Sequence, residues 1–211
     1  MASHPTRRRV VLAALTAVAG CTGSGGESGP EGSGGAYGGG GDGGDDTGTP
    51  ANPARGDADQ QGDLGLSSTA FEDGGEIPRK YGSREANVNP PLRIESVPTT
   101  AGSLALVMDD PDAKPVAGKV WIHWLVWNIA PDRTAIPENW TPADATEGTN
   151  SGGNVGYGGP APPDNPHTYR FKLFALDSTL DLTSGTTVDQ LGRAMDGHVL
   201  ASTQLTGTYA P

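Results

Sequence analysis

Val120-Trp121-Ile122-His123-Trp124-Leu125-Val126-Trp127-Asn128 is apolar on both alternating faces, and His123 is the polar side chain inside the run. A strand of that kind is covered by packed structure on each side. It therefore reads as a central strand, with Trp121, His123, Leu125 and Trp127 on one face. Upstream, the run from Ser103 to Asp109 is short, apolar and ends in Asp110-Pro111-Asp112, so it reads as a buried strand entering a turn. Downstream, the segment Tyr169 to Asp177 alternates more cleanly, with Tyr169, Phe171, Leu173 and Ala175 on one face, and predicts a half-buried strand.

Further out, Thr187 and Gln190 stand at the spacing of a capping box, in which both side chains satisfy free amides at a helix start. Val188, Leu191 and Met195 follow at helical spacing and Gly197 can stop the turn, which predicts one short helix over 188–196. His198 to Tyr209 is rich in β-formers and predicts a last strand. Many strands, short connections and few helices favour a mainly β fold, an antiparallel β-sandwich with one or a few short peripheral helices, over a parallel α/β sheet.

Three polar groups break the pattern: Asp110 at a strand end, His123 inside a Trp-rich strand, and His167 just before a strand. Singly, each has an ordinary structural explanation, because buried histidines are commonly satisfied core residues and Asp-Pro-Asp favours turns by capping its own backbone. The loop Asn154 to Pro163 adds glycines that permit close backbone approach and prolines that stiffen a rim, beside Tyr157. That mixture reads as a pocket wall; tight turns alone are the alternative.

Taken together, Asp110-Pro111-Asp112-Ala113, Val120-Trp121-Ile122-His123-Trp124, and Gly156-Tyr157-Gly158-Gly159-Pro160-Ala161-Pro162-Pro163 with His167 and Tyr169 resemble one family. Ile77-Pro78-Arg79-Lys80-Tyr81, Asn87-Val88-Asn89-Pro90-Pro91-Leu92 and Ala194-Met195-Asp196-Gly197-His198-Val199-Leu200-Ala201 also fit it. The chain is similar to phosphatidylethanolamine-binding proteins, of the bacterial and archaeal branch described as Raf-kinase-inhibitor-like, across almost all of residues 64–211. The resemblance implies a β-sandwich with a small anion pocket at one end, lined by Asp110, Trp121, His123, Pro163, His167 and Tyr169, with Gly159 and Pro160 supplying backbone donors or shape. An aspartate holds a neighbouring imidazole charged or oriented, and imidazoles with loop amides can receive phosphate or carboxylate. Tryptophan supplies an apolar wall that strengthens such contacts. Two departures stand out. Ala161 occupies a position where prokaryotic members often carry cysteine, and only Ala210 and Pro211 follow the last strand, so the shielding C-terminal helix of the eukaryotic branch is not expected and the pocket should be more open.

The N-terminus carries a separate message. Arg7, Arg8 and Arg9 precede an apolar run from Val10 to Gly20, the order of a secretory signal. The run is shorter than the about 20 residues that span a bilayer. Thr6-Arg7-Arg8-Arg9-Val10-Val11 fits a twin-arginine leader, and Val18-Ala19-Gly20-Cys21 resembles a lipobox. Cys21 is the one cysteine of the chain, so no intramolecular disulfide forms, and its place after the apolar run favours lipidation over a free or intermolecular thiol. From Thr22 onward no Val, Ile, Leu, Met, Phe or Trp occurs before Leu64, and glycine dominates as far as Gly48. The expected organisation is a signal peptide over 1–20, a lipidated cysteine with a disordered glycine-rich tether over 21–63, and a binding domain over 64–211. Such a tether of about 42 residues spans roughly 35 Å and holds the domain at the outer face of the membrane.

Charge narrows the function further. The formal net charge of -11, from 25 Asp and Glu against 14 Lys and Arg, excludes the basic footprint of a nucleic-acid binder. Abundant carboxylates with few lysines resemble proteins of salt-loving organisms. The preferred reading is non-catalytic binding of a small anionic, phosphate- or headgroup-type ligand, with a protein partner regulated in turn and no cofactor. Inhibition of a secreted protease is the alternative. A hydrolase using Asp110 and His123 is disfavoured because no activated nucleophile accompanies them, and an open zinc site of Asp110, His123 and His167 is weighed and set aside. Prokaryotic relatives tend to pair, so a homodimer is also an expectation.

Overall fold

The computed structural model describes residues 52–55, 58 and 60–211. The expected leader, Cys21 and the tether through residue 51 lie outside them.

Two sheets form the body. β1 (Gly65–Ser68), β3 (Leu92–Glu95) and β6 (Ala135–Ile136) make a three-stranded sheet in the order β1-β3-β6. The larger sheet uses β2 (Gly75–Glu76), β4 (Ser103–Asp110), β5 (Trp121–Ile129), β7 (Thr146–Glu147), β8 (His167–Leu176) and β9 (Val199–Tyr209), ordered β2-β9-β8-β4-β5-β7. Named pairs are antiparallel except β2 with β9, a two-residue parallel contact at the sheet edge. The expected β-sandwich is present.

The larger sheet is covered on both faces. Leu104, Leu106, Met108, Phe171 and Leu173 pack with Leu92, Ile94 and Ile136 of the small sheet. Ala105, Val107, Phe174 and Leu176 pack on the other side with Val188, Leu191 and Met195 of helix α2 (Val188–Met195). Double coverage explains why β4 is buried at every position and why β5 lacks a polar face. For the same reason β8 is more buried than expected: Lys172, Phe174 and Leu176, opposite the Tyr169 face, are covered too.

Simple alternation fails in β5. Met108 pairs with Trp124 and Asp109 with Ile122, so His123 is the additional residue of a β-bulge. A second shift separates Leu104–Ile129 from Leu106–Val126, beside Asn128 at φ 58°. Consequently Leu125 and Trp127 join the α2 side, whereas His123 meets Tyr169 edge-on at 5.2 Å between ring centroids. The face expected for these residues is corrected by the bulge.

Helix α2 begins as expected, with Gln190 Oε1 accepting from the Thr187 amide at 3.0 Å, and Gly197 follows it at φ 77°. A short helix that sequence patterning missed, α1 (Lys114–Ala117), follows the Asp-Pro-Asp turn and stops at Gly118, φ 71°. The boundary at Leu64 also needs correction. Ala54 and Ala58 are buried in the α2-side core, and Gln61 bridges to Ser202 on β9. The ordered body therefore starts within the segment expected to be tether. No helix among the described residues is long and apolar enough to cross a membrane.

Candidate functional site

One end of the larger sheet opens into a cavity of about 490 Å³. Asp110, Trp121, His123, His167 and Tyr169 reach it from strand ends of β4, β5 and β8, and Gly159 and Pro163 reach it from the intervening loop. His123 and His167, which the resemblance implies to be neighbours, both line this cavity. Pro160 does not line this cavity. Its carbonyl accepts the Ser83 amide at 2.9 Å, and the residue lines a smaller cleft instead.

The carboxylate of Asp110 is set by its neighbours. Oδ1 accepts the Ala113 amide at 3.0 Å, which ties the strand end to α1, and Oδ2 meets His167 Nδ1 at 2.7 Å. The other ring nitrogen of His167 meets Asp164 Oδ1 at 3.2 Å. Burial alone pushes the His167 pKa down, but the Asp110 contact and then Asp164 outweigh it, so the pKa is raised. Since carboxylates accept, the two contacts favour the protonated ring, which donates from both nitrogens. Its two N–H groups are already committed.

His123 has the opposite character. Nδ1 stands 2.6 Å from the Gly158 carbonyl, which only accepts, so Nδ1 carries the proton. Burial pushes the ring pKa down, ahead of the opposing Gly158 bond and the Asp110 charge. The neutral ring keeps a lone pair on Nε2, an acceptor. Tyr169 supplies a donor: its buried hydroxyl completes no hydrogen bond of good geometry, although the Asp110 carboxylate and the Ala161 backbone lie near enough to act on it. Burial and then the Asp110 charge push its pKa up, so it stays protonated. A group so placed in a cavity wall is an unfilled bond.

The loop wall is tightly keyed. The Gly158 amide donates to the His123 carbonyl at 2.9 Å, and the Gly159 amide donates to Asn87 Oδ1 at 2.8 Å. The backbone donor expected at Gly159 is thus used internally. A Cβ at Gly159 would lie 2.2 Å from the Tyr81 carbonyl, so glycine is required for this approach. Sequence reasoning missed Asn87 and Asn150 in the lining. Asn150 Oδ1 accepts the amides of Gly152 and Asn154 at 3.0 and 3.2 Å, while its Nδ2 donates to Gly156 at 3.0 Å. Apolar Val116 and Ala117 of α1 complete the mouth, a contribution that followed from no motif.

A family model described as phosphatidylethanolamine-binding protein matches residues 67–210. The chain belongs to the phosphatidylethanolamine-binding protein family. A UPF0098 protein of Methanothermobacter thermautotrophicus is 44% identical over 151 residues, covering 69% of this chain and 98% of that protein. LppC of Mycobacterium tuberculosis, named as a candidate lipoprotein, is 40% identical, with 69% of this chain and 72% of that protein covered. A crystal structure of a phosphatidylethanolamine-binding protein homologue from Chlamydia trachomatis superposes with a TM-score of 0.67 at 40% identity, covering 70% of this chain and 97% of that one.

For a phosphatidylethanolamine-binding protein family member, the fixed chemistry of this cavity is binding chemistry. It presents the His123 Nε2 acceptor and the Tyr169 hydroxyl beside a largely apolar wall including Trp121 and Ile122. Among the described residues no cluster of three His, Cys, Asp or Glu side chains is arranged for a metal.

Proposed function

We propose that this protein binds, without catalysis, a small molecule whose polar head is a protonated oxyanion of the phosphate-monoester type. The observation that carries the reading is the pairing, in one cavity, of the His123 Nε2 acceptor with the Tyr169 hydroxyl donor. A phosphate monoanion offers both complements, a P–OH to donate and P–O oxygens to accept. The apolar wall of Trp121, Ile122 and Pro163 then takes the remainder of the ligand. His167, saturated by two carboxylates, serves to hold Asp110 and the floor in place, a role different from direct anion capture.

The setting is the outer face of a membrane, with Cys21 lipidated. Support comes from the lipobox-like Val18-Ala19-Gly20-Cys21 and from the naming of a 40%-identical relative as a candidate lipoprotein.

Calorimetric titration with inorganic phosphate tests the site. His123→Ala should weaken binding about tenfold or more, the worth of a hydrogen bond to a charged group, while the melting temperature stays within a few degrees. Equal affinity in both proteins would remove His123 from the binding site.

A further inference from the structure

The family match starts at residue 67, yet described residues upstream of it are built into the domain as a strap on the α2 side. Arg55 Nη2 donates to Asp189 Oδ2 at 2.9 Å, and Asn52 Nδ2 donates to Asp189 Oδ1 at 3.3 Å. Helix α2 makes room for them: a Cβ at Gly192 would stand 1.6 Å from Asn52 Oδ1. Ala54 is fully buried, and its carbonyl accepts Lys172 Nζ at 2.8 Å.

Lys172 is itself fully buried and donates to Asp109 Oδ2 at 2.8 Å. Arg170 grips the same carboxylate, Nε to Oδ1 at 2.7 Å and Nη2 to Oδ2 at 2.8 Å. Asp109 and Asp110 are consecutive in β4, so their side chains leave opposite faces of the sheet. One face holds the charge cluster, and the other holds Asp110 with His167. The β4–β5 register shifts between Met108 and Asp109, and beyond this bulge Asp109 and Asp110 pair with Ile122 and Trp121 while Asp109 also pairs with Arg170 of β8. The carboxylate contacts of Asp109 add to that pairing at the strand end. A buried ammonium keeps its position only while oxygen acceptors surround it, and one of those oxygens belongs to the strap.

We propose that the strap is a positioning element of the cavity: docked, its Ala54 carbonyl helps hold Lys172 on Asp109, and Asp109 sets the orientation of Asp110 toward His167. The segment that joins the body to the N-terminal part of the chain thus bears on the binding site from the far face of the sheet. By linkage, a guest that favours the set cavity also tightens the strap. The affinity consequence rests on the phosphate-type reading above; the effect on His167 does not.

The test uses the full chain with Arg55→Ala and Gly192→Ala combined, neither residue lining the cavity. Alanine is a better helix former than glycine, so α2 keeps its propensity while Asn52 loses its seat. Amide exchange at Ala54 and at the substituted position 55 should accelerate at least about tenfold, the ring resonances of His167 should shift, and inorganic phosphate should bind about tenfold more weakly. A loosened strap with unmoved His167 resonances would overturn the coupling. A strap that stays protected in the variant would equally overturn it, because the clasp would not be what holds it. Shifted His167 resonances in a protein that never binds phosphate would sustain the coupling and refute only the assignment of the guest.

Discussion

Nδ1 of His167 and Oδ2 of Asp110 stand 2.7 Å apart with both side chains buried. Asp110 and then Asp164 raise the His167 pKa against the opposing effect of burial. A raised folded-state pKa stabilises fully below the unfolded value of about 6.5 and ceases to do so as pH rises through the folded pKa. His167→Gln should therefore cost most in acid, about 3 kcal/mol near about pH 5 for a broken buried pair, and less near about pH 9. Urea unfolding of both proteins at the two pH values checks this. A cost that grows with pH would mean that the ring folds neutral.

Tyr169 separates stability from binding. Its buried hydroxyl completes no hydrogen bond of good geometry, so Tyr169→Phe removes a desolvated group and should leave the free protein as stable or up to about 1 kcal/mol more stable. Phosphate affinity should fall about tenfold in the same variant. Thermal melts with and without phosphate report both effects, and a substitution that destabilises the free protein would show that the hydroxyl is satisfied in solution.

Binding should also carry a proton. One proton lies between neutral His123 Nε2 and the guest, so above the guest's second pKa, about 6 for a phosphate monoester and roughly a unit higher for inorganic phosphate, the complex must take it up. Affinity should then fall about tenfold per pH unit on the alkaline side. Calorimetry in buffers of different ionisation heat measures the uptake directly; a result independent of buffer would place no proton there.

Much of this arrangement was legible in the residues. The strand read over 120–128, observed at Trp121–Ile129, and the capping box at Thr187 follow from local pattern, and the shared location of His123 and His167 is what the family resemblance implies. What was hidden depends on long-range packing. Period-2 alternation carries no mark of the bulge that turns His123 toward Tyr169. Nothing in a Leu- and Val-free stretch announces that Ala54 and Ala58 are buried, because alanine gives a weak hydrophobic signal and the groups that hold this segment, Gly192 against Asn52 and Lys172 against the Ala54 carbonyl, lie far along the chain. The opposite pKa directions were hidden as well: His123 and His167 look equivalent in sequence, and only burial beside a carbonyl for one and carboxylates beside the other favour an acceptor in the first and the protonated ring in the second.

The comparison of phosphate with sulfate tests the central claim most directly. The two anions share shape and size, but sulfate is fully deprotonated at neutral pH and has no O–H for His123. Titrated under identical conditions near neutral pH, phosphate should bind at least about tenfold more tightly than sulfate, the difference expected when a buried acceptor is left unpaired. Equal affinities, or a preference for sulfate, would contradict a cavity built around a neutral His123 and the Tyr169 hydroxyl.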